Sequence, residues 1–145
     1  MSCKNATYTA KFSTNEDYTL TTSFVASDAI ALDFAKKITI FPYYTATAAT
    51  NVLTFTVEVN PYNAEVDADG DYWTDLGSWV NSSGTYAEEI SQYVSDASAG
   101  SSLTALKPLN IAQFDAQRIR ITAKETVNAG TAGSVRFVLG VSNDD

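Results

Sequence analysis

The chain has 145 residues, which fits one domain. A net charge of −8 argues against general nucleic-acid binding, which needs a basic footprint, and against docking on an anionic membrane. The chain has no histidine, which removes the commonest general base and the usual catalytic triads; its one cysteine, Cys3, cannot close an internal disulfide.

Residues 1–16 are polar, with Tyr8 and Phe12 as anchors. They read as an N-terminal arm that either includes a short strand or is disordered. The start has no apolar core of the kind a secretory signal carries, and no run approaches the roughly 20 apolar residues of a membrane span. The expectation is a soluble chain made in the cytoplasm.

The body, 17–142, reads as a single β domain, with 143–145 a solvated tail. Tyr18, Leu20, Thr22, Phe24 and Ala26 alternate with their neighbours, which predicts a strand over 18–26. Ser27-Asp28 predicts a turn, and Ile30, Leu32 and Phe34 a second short strand. A third covers 36–45. Pro42 lacks a ladder N–H, so this strand is expected to lie at an edge or to be bulged there. Residues 45–51 are a loop of small side chains.

The cleanest alternation follows at 52–60, with Leu53, Phe55, Val57 and Val59 inward and Thr54, Thr56 and Glu58 outward. A turn-rich acidic segment leads to Tyr72 and Trp73, then to a short strand over 73–79. Residues 85–95 fit either a short helix, through Tyr86, Ile90, Tyr93 and Val94, or a strand or ordered loop. Leu103 to Ile111 is a strand broken at Pro108. In 117–124, Ile119, Ile121 and Ala123 point inward; in 134–142, Val135, Phe137, Leu139 and Val141 do. The glycine-containing link between these two predicts a hairpin. About eight strands with turn signals between them predict an all-β fold, an antiparallel β-sandwich of jelly-roll-like connection.

The acidic loop holds Asp67, Asp69, Asp71 and Asp75 within a short reach. One reading is a solvated turn in which Gly70 supplies a positive φ. The alternative is a calcium site, since calcium takes 6–8 oxygens in irregular loops. Tyr43, Tyr44, Tyr72, Trp73 and Trp79 either close an end of the core, line a subunit interface or stack on a sugar. Arg118, Arg120, Lys124 and Arg136 form a basic strip on the last two strands. From Ile38 to Leu106 there are nine acids and no Lys or Arg. Such a split could steer one subunit's basic strip onto a neighbour's acidic loop; the alternative is a half-exposed sheet face with ordinary charges. Glu88-Glu89 is the nearest thing to a catalytic carboxylate pair, but sequence neighbours point different ways. No other cofactor motif is present.

The order VEVNP, Asp69-Gly70, Tyr72-Trp73, Pro-Leu-Asn-Ile, QRIRITAKE, a Gly-rich turn and SVRFVLGVS resembles the small β-sandwich virion proteins of tailed bacteriophages, particularly capsid decoration or cement proteins. The residues that carry it are Asp69, Gly70, Trp73 and Arg118 to Ala123, within a match over roughly 36–142. The resemblance implies a non-enzymatic structural protein, assembled into virions in the host cytoplasm, a homotrimer clamped onto the major capsid protein. Tail, neck and head-fibre subunits and some carbohydrate-binding modules share the pattern. The contact candidates under this resemblance are the arm 1–16 and the loops 45–51, 61–71 and 95–102; the interface side chains expected from the charge split and the aromatics are Arg118, Arg120, Lys124, Arg136, Tyr43, Tyr44, Tyr72 and Trp73.

Overall fold

The computed structural model describes residues 5–32, 37–47, 51–77, 80–82, 85–87, 93–94, 104–106, 108–112, 116–126 and 132–142. The strands are β1 (Asn5–Ala10), β2 (Tyr18–Thr19), β3 (Val25–Ala26), β4 (Ile30–Ala31), β5 (Lys37–Thr45), β6 (Val52–Asn60) and β7 (Thr74–Gly77). The rest are β8 (Val80–Ser82), β9 (Thr85–Ala87), β10 (Tyr93–Val94), β11 (Thr104–Ala105), β12 (Leu109–Ala112), β13 (Arg118–Thr126) and β14 (Ser134–Ser142). No helix occurs among the described residues. The ambiguous stretch 85–95 is strand at β9 and β10, and 88–92 and 95 lie outside the described residues.

Two antiparallel sheets carry the molecule. The first runs β1-β14-β5, with β11 and β12 both on the far side of β5 and β2 beside β14. The second runs β10-β6-β13-β3, with β4 also on β13 and β7 on β6. Each sheet joins strands distant in sequence, and the two together make a β-sandwich. The hairpin expected between the last two long strands is therefore not formed. β13 is paired along its length with β6 and β14 with β5, so the link between them crosses from one sheet to the other.

The alternation in the long strands sets the core. Ile38 and Ile40 of β5, Phe137 and Leu139 of β14, Phe55 and Val57 of β6, and Ile119 and Ile121 of β13 are all buried. Phe55 meets Phe137 across the layers, edge to face at 4.8 Å. Buried aromatic pairs of this kind add about 0.5–1.5 kcal/mol beyond the area they bury. Thr54 and Thr56, expected to face water, are buried as well. Thr56 bonds the hydroxyl of its register partner Thr122 on β13, a side-chain pair across the ladder.

Three irregularities depart from the predicted strands. First, 18–26 is not one strand. Leu20 N donates to Gly133 O on the β14 side, and Thr21 O accepts from Glu125 N on the β13 side, so the chain passes here from the first sheet to the second. Second, Ser27-Asp28 is a bulge rather than a turn. Ala26 pairs with Thr122 and Ile30 with Ile119, so three residues face two and the chain continues along β13. Third, Pro42 lies on a strand paired on both sides, and its partner breaks opposite it. Ala105 pairs with Tyr43 and Leu109 with Ile40, so the pairing is interrupted opposite 41–42. Neither expected arrangement holds for β5 itself, whose pairing with β14 runs unbroken through Pro42; the interruption lies between β11 and β12, and Leu106 N still reaches Pro42 O.

The stretch read as an arm includes β1, bonded to β14 from Asn5 through Ala10. Beyond it, Phe12 and Asn15 close a tight turn with Ser13 and Thr14 at φ 51° and 73°. Phe12 is buried and stacks on Tyr18 at 4.2 Å, which anchors the turn to the core.

Candidate interaction surface

The acidic loop between β6 and β7 is built around one buried carboxylate. Asp67 is 4% exposed. Its oxygens accept from Asn60 Nδ2 at 2.6 Å, from Asp71 N at 2.9 Å and from Tyr72 N at 3.2 Å. Arg118 approaches it at 3.6 Å. Burial alone would raise the Asp67 pKa. The three hydrogen bonds and the Arg118 charge outweigh it and hold the carboxyl below its ordinary value of 3.8.

Asparagines organise the rest of the loop. Asn60 Oδ1 accepts from Tyr62 N, and Asn63 Oδ1 accepts from Glu65 N and Val66 N. These are Asx turns, the local chemistry that asparagine brings to a chain reversal. Gly70 has φ 72°, the positive-φ position expected of it. Arg118 closes the loop from below, with Nε donating to Tyr62 O at 3.0 Å.

Among the described residues, no three acidic side chains converge on a point where an ion could sit. Asp67 turns inward to amide and guanidinium donors, while Asp69, Asp71 and Asp75 face water. The four acids of the calcium reading are thus not brought together, because one of them is committed to holding the loop.

The expected basic strip is divided. Arg118, Arg120 and Lys124 lie on β13, and Arg136 lies on β14 in the other sheet. Arg120 meets its register partner Glu58 at 2.7 Å. Arg136 makes a two-pronged contact with Asp17, at 2.8 Å to each oxygen, and has Glu16 at 3.9 Å. The Asp17 hydrogen bonds and charge raise the Arg136 pKa above its ordinary value. Lys124 stands 4.7 Å over the Phe24 ring. These side chains fit the ordinary-face alternative, since each has a partner in its own chain.

The aromatics also part company. Tyr44 is fully buried, so it belongs to the core and not to an interface. The reason is parity, since it shares the inward phase of Ile38 and Ile40. Its hydroxyl donates to the buried Glu125 of β13, whose other oxygen accepts from Gly133 N. Burial, then the hydrogen bond and charge of Glu125, push the Tyr44 phenol far above its ordinary value. Tyr43 is half-buried on the opposite face. Trp73 is half-buried under two guanidiniums, Arg118 at 4.9 Å and Arg120 at 4.2 Å. Tyr72 is exposed and meets Tyr62 edge to face at 5.0 Å. Trp79 lies outside the described residues. A shallow cleft of about 210 Å³ beside Gly133 is lined by Thr19, Thr45, Thr47 and Ser134.

Asn60, Asn63, Tyr62 and Glu125 carry this geometry and were not singled out in the sequence. The Asn-Pro and Asn-x-x-Val spacings around 60–66 are turn signals that could have marked the first three. Glu125 extends the inward parity of Ile119, Ile121 and Ala123, which marks it as a carboxylate facing the core.

No protein-family model matches this chain, and no curated protein sequence matches it. Solved structures do match in fold. The SPBc2 prophage-derived protein YomS aligns with TM-score 0.55 at 7% identity, over 98% of this chain and 96% of that one. The VP2 subviral particle of infectious bursal disease virus aligns with TM-score 0.56 at 11% identity, over 97% of this chain and 32% of that one. The Gx strain of the same virus gives 0.51 at 12% identity over the same shares. At these identities the likeness is one of fold: the chain has a β-sandwich fold like that of a prophage-derived protein along its whole length and like that of one part of a viral particle protein.

Proposed function

We propose that this chain is a non-enzymatic structural subunit of a virion, bound to the outer surface of the capsid as a decoration or cement protein. The observation that supports it most is the end-to-end fold likeness to a prophage-derived protein, which covers 98% and 96% of the two chains. The motif order from Asp69-Gly70-Tyr72-Trp73 to the Arg118–Ala123 strand points the same way. The architecture suits the task. Two sheets close over an apolar core, the arginines of the sheet faces are held by partners in the same chain, and one loop is fixed by buried hydrogen bonds. Such a body can present a surface without rearranging, and several copies on one particle make modest contacts hold. Major capsid subunits, and further copies of this chain in threes, are the expected partners.

The test is the composition of purified particles from cells that carry the gene. Quantitative mass spectrometry should find this protein at a copy number comparable to that of the major capsid protein. A handful of copies per particle would favour a tail, neck or fibre subunit instead. Its absence from particles would overturn the proposal.

A further inference from the structure

The tip of the acidic loop combines two features that rarely sit together on a solvated turn. Tyr62, Val66 and Tyr72 are 41%, 67% and 56% exposed, on a loop whose backbone is fixed. Asn60, Asn63, Asp67 and Arg118 hold that backbone through the bonds described above. In the same segment and the start of β7, Glu65, Asp69, Asp71 and Asp75 are all exposed and in no ion pair among the described residues. Exposed tyrosines on a rigid backbone lose little conformational freedom on binding, which is what an interaction anchor requires. Trp73 and the two arginines over it back the loop from the sheet side.

We infer that this tip is a docking surface for another protein, one that offers an apolar recess rimmed by Lys or Arg. Charge complementarity selects the occupant. Four exposed acids in one segment, in no ion pair among the described residues, repel nucleic acid and acidic surfaces and attract a basic rim. A second copy of this chain offers a poorer rim: its Arg118, Arg120 and Arg136 are held by its own Asp67, Glu58 and Asp17 and its Lys124 stands over its own Phe24, which leaves Lys11 and Lys37 as the other described cations, outside an ion pair. A different protein with a denser basic rim fits the acids better. The inference rests on the virion reading for its identity: the recess belongs to the capsid shell.

The experiment uses shells assembled in cells deleted for this gene, mixed with purified protein and read by co-sedimentation at low and high salt. Wild type should bind, more weakly as salt rises. The double variant Tyr62→Ser/Tyr72→Ser should bind ten-fold or more weakly, and Asp69→Asn/Asp71→Asn should bind more weakly at low salt and lose salt dependence. Val66→Ser, at the most exposed of the three apolar positions, guards against a folding artefact and should also weaken binding at an unchanged thermal midpoint. Equal binding by wild type and all variants overturns the docking assignment alone. Failure of the wild type to bind the shells overturns the virion reading, and the docking assignment falls with it.

Discussion

Asp67 shows how little a run of acids says about which carboxylate does what. It shares its spacing and composition with Asp69 and Asp71, yet it alone turns inward, to Asn60, two amides and Arg118. Gly70 was legible because a positive φ has a local signature. The inward turn of Asp67 was not, because its partners Asn60 and Arg118 come from two different strands. The depressed pKa has a consequence for stability. In the unfolded chain this carboxyl takes its proton near pH 3.8, and in the folded chain only at lower pH. Its stabilisation is thus fully present above the unfolded value and is lost as pH falls through the folded one. Asp67→Asn should lower the denaturation midpoint at neutral pH, and the gap to wild type should close in that acid window. A gap that stays constant from pH 7 to pH 2 in urea titrations would contradict this assignment. Tyr44 and Glu125 teach the complementary lesson. Both sat at positions whose parity pointed inward, so their burial could be read from alternation once a polar side chain was allowed on the core face.

At the scale of the elements, the long strands were legible and their irregularities were not. Alternation of apolar side chains identified β5, β6, β13 and β14; β5 and β13 bury one face along their length and β14 over most of it, while β6 buries Thr54 and Thr56 of its other face as well. A bulge resets that parity by one residue and leaves only a small polar pair such as Ser27-Asp28 as its trace, the same trace a turn leaves. The Gly-rich link before β14 is ambiguous in the same way, since a hairpin and a crossing between sheets need similar loop chemistry. Partners far away in sequence decide between them. Ser27 holds the bulge by donating its N–H to Ile121 O at 2.7 Å and accepting Ile121 N at its Oγ at 2.9 Å. Ser27→Ala leaves the buried Ile121 N–H without an acceptor and should cost about 1–3 kcal/mol. Ser23→Ala, on an exposed segment, should stay within about 0.5 kcal/mol of wild type. Equal midpoints for the two variants in chemical denaturation would remove the bulge from the account of stability.

For the whole molecule, the all-β two-layer architecture followed from strand count and turn spacing, while the surface that matters did not. Four basic residues that look like a strip in the sequence are divided between two sheets and held by Asp67, Glu58, Asp17 and the Phe24 ring. Among the described residues, exposed acids outside any ion pair lie on the 61–75 segment, which also carries exposed tyrosines. On the proposed reading, the sandwich presents this acidic, aromatic loop to a partner on a particle. A difference map between reconstructions of particles made with and without the gene tests that most directly. The account predicts added density outside the shell, one 15.6-kDa sandwich per copy, grouped in threes, with the β6–β7 loop facing the major capsid protein. Two maps that agree everywhere on the outer surface would contradict it.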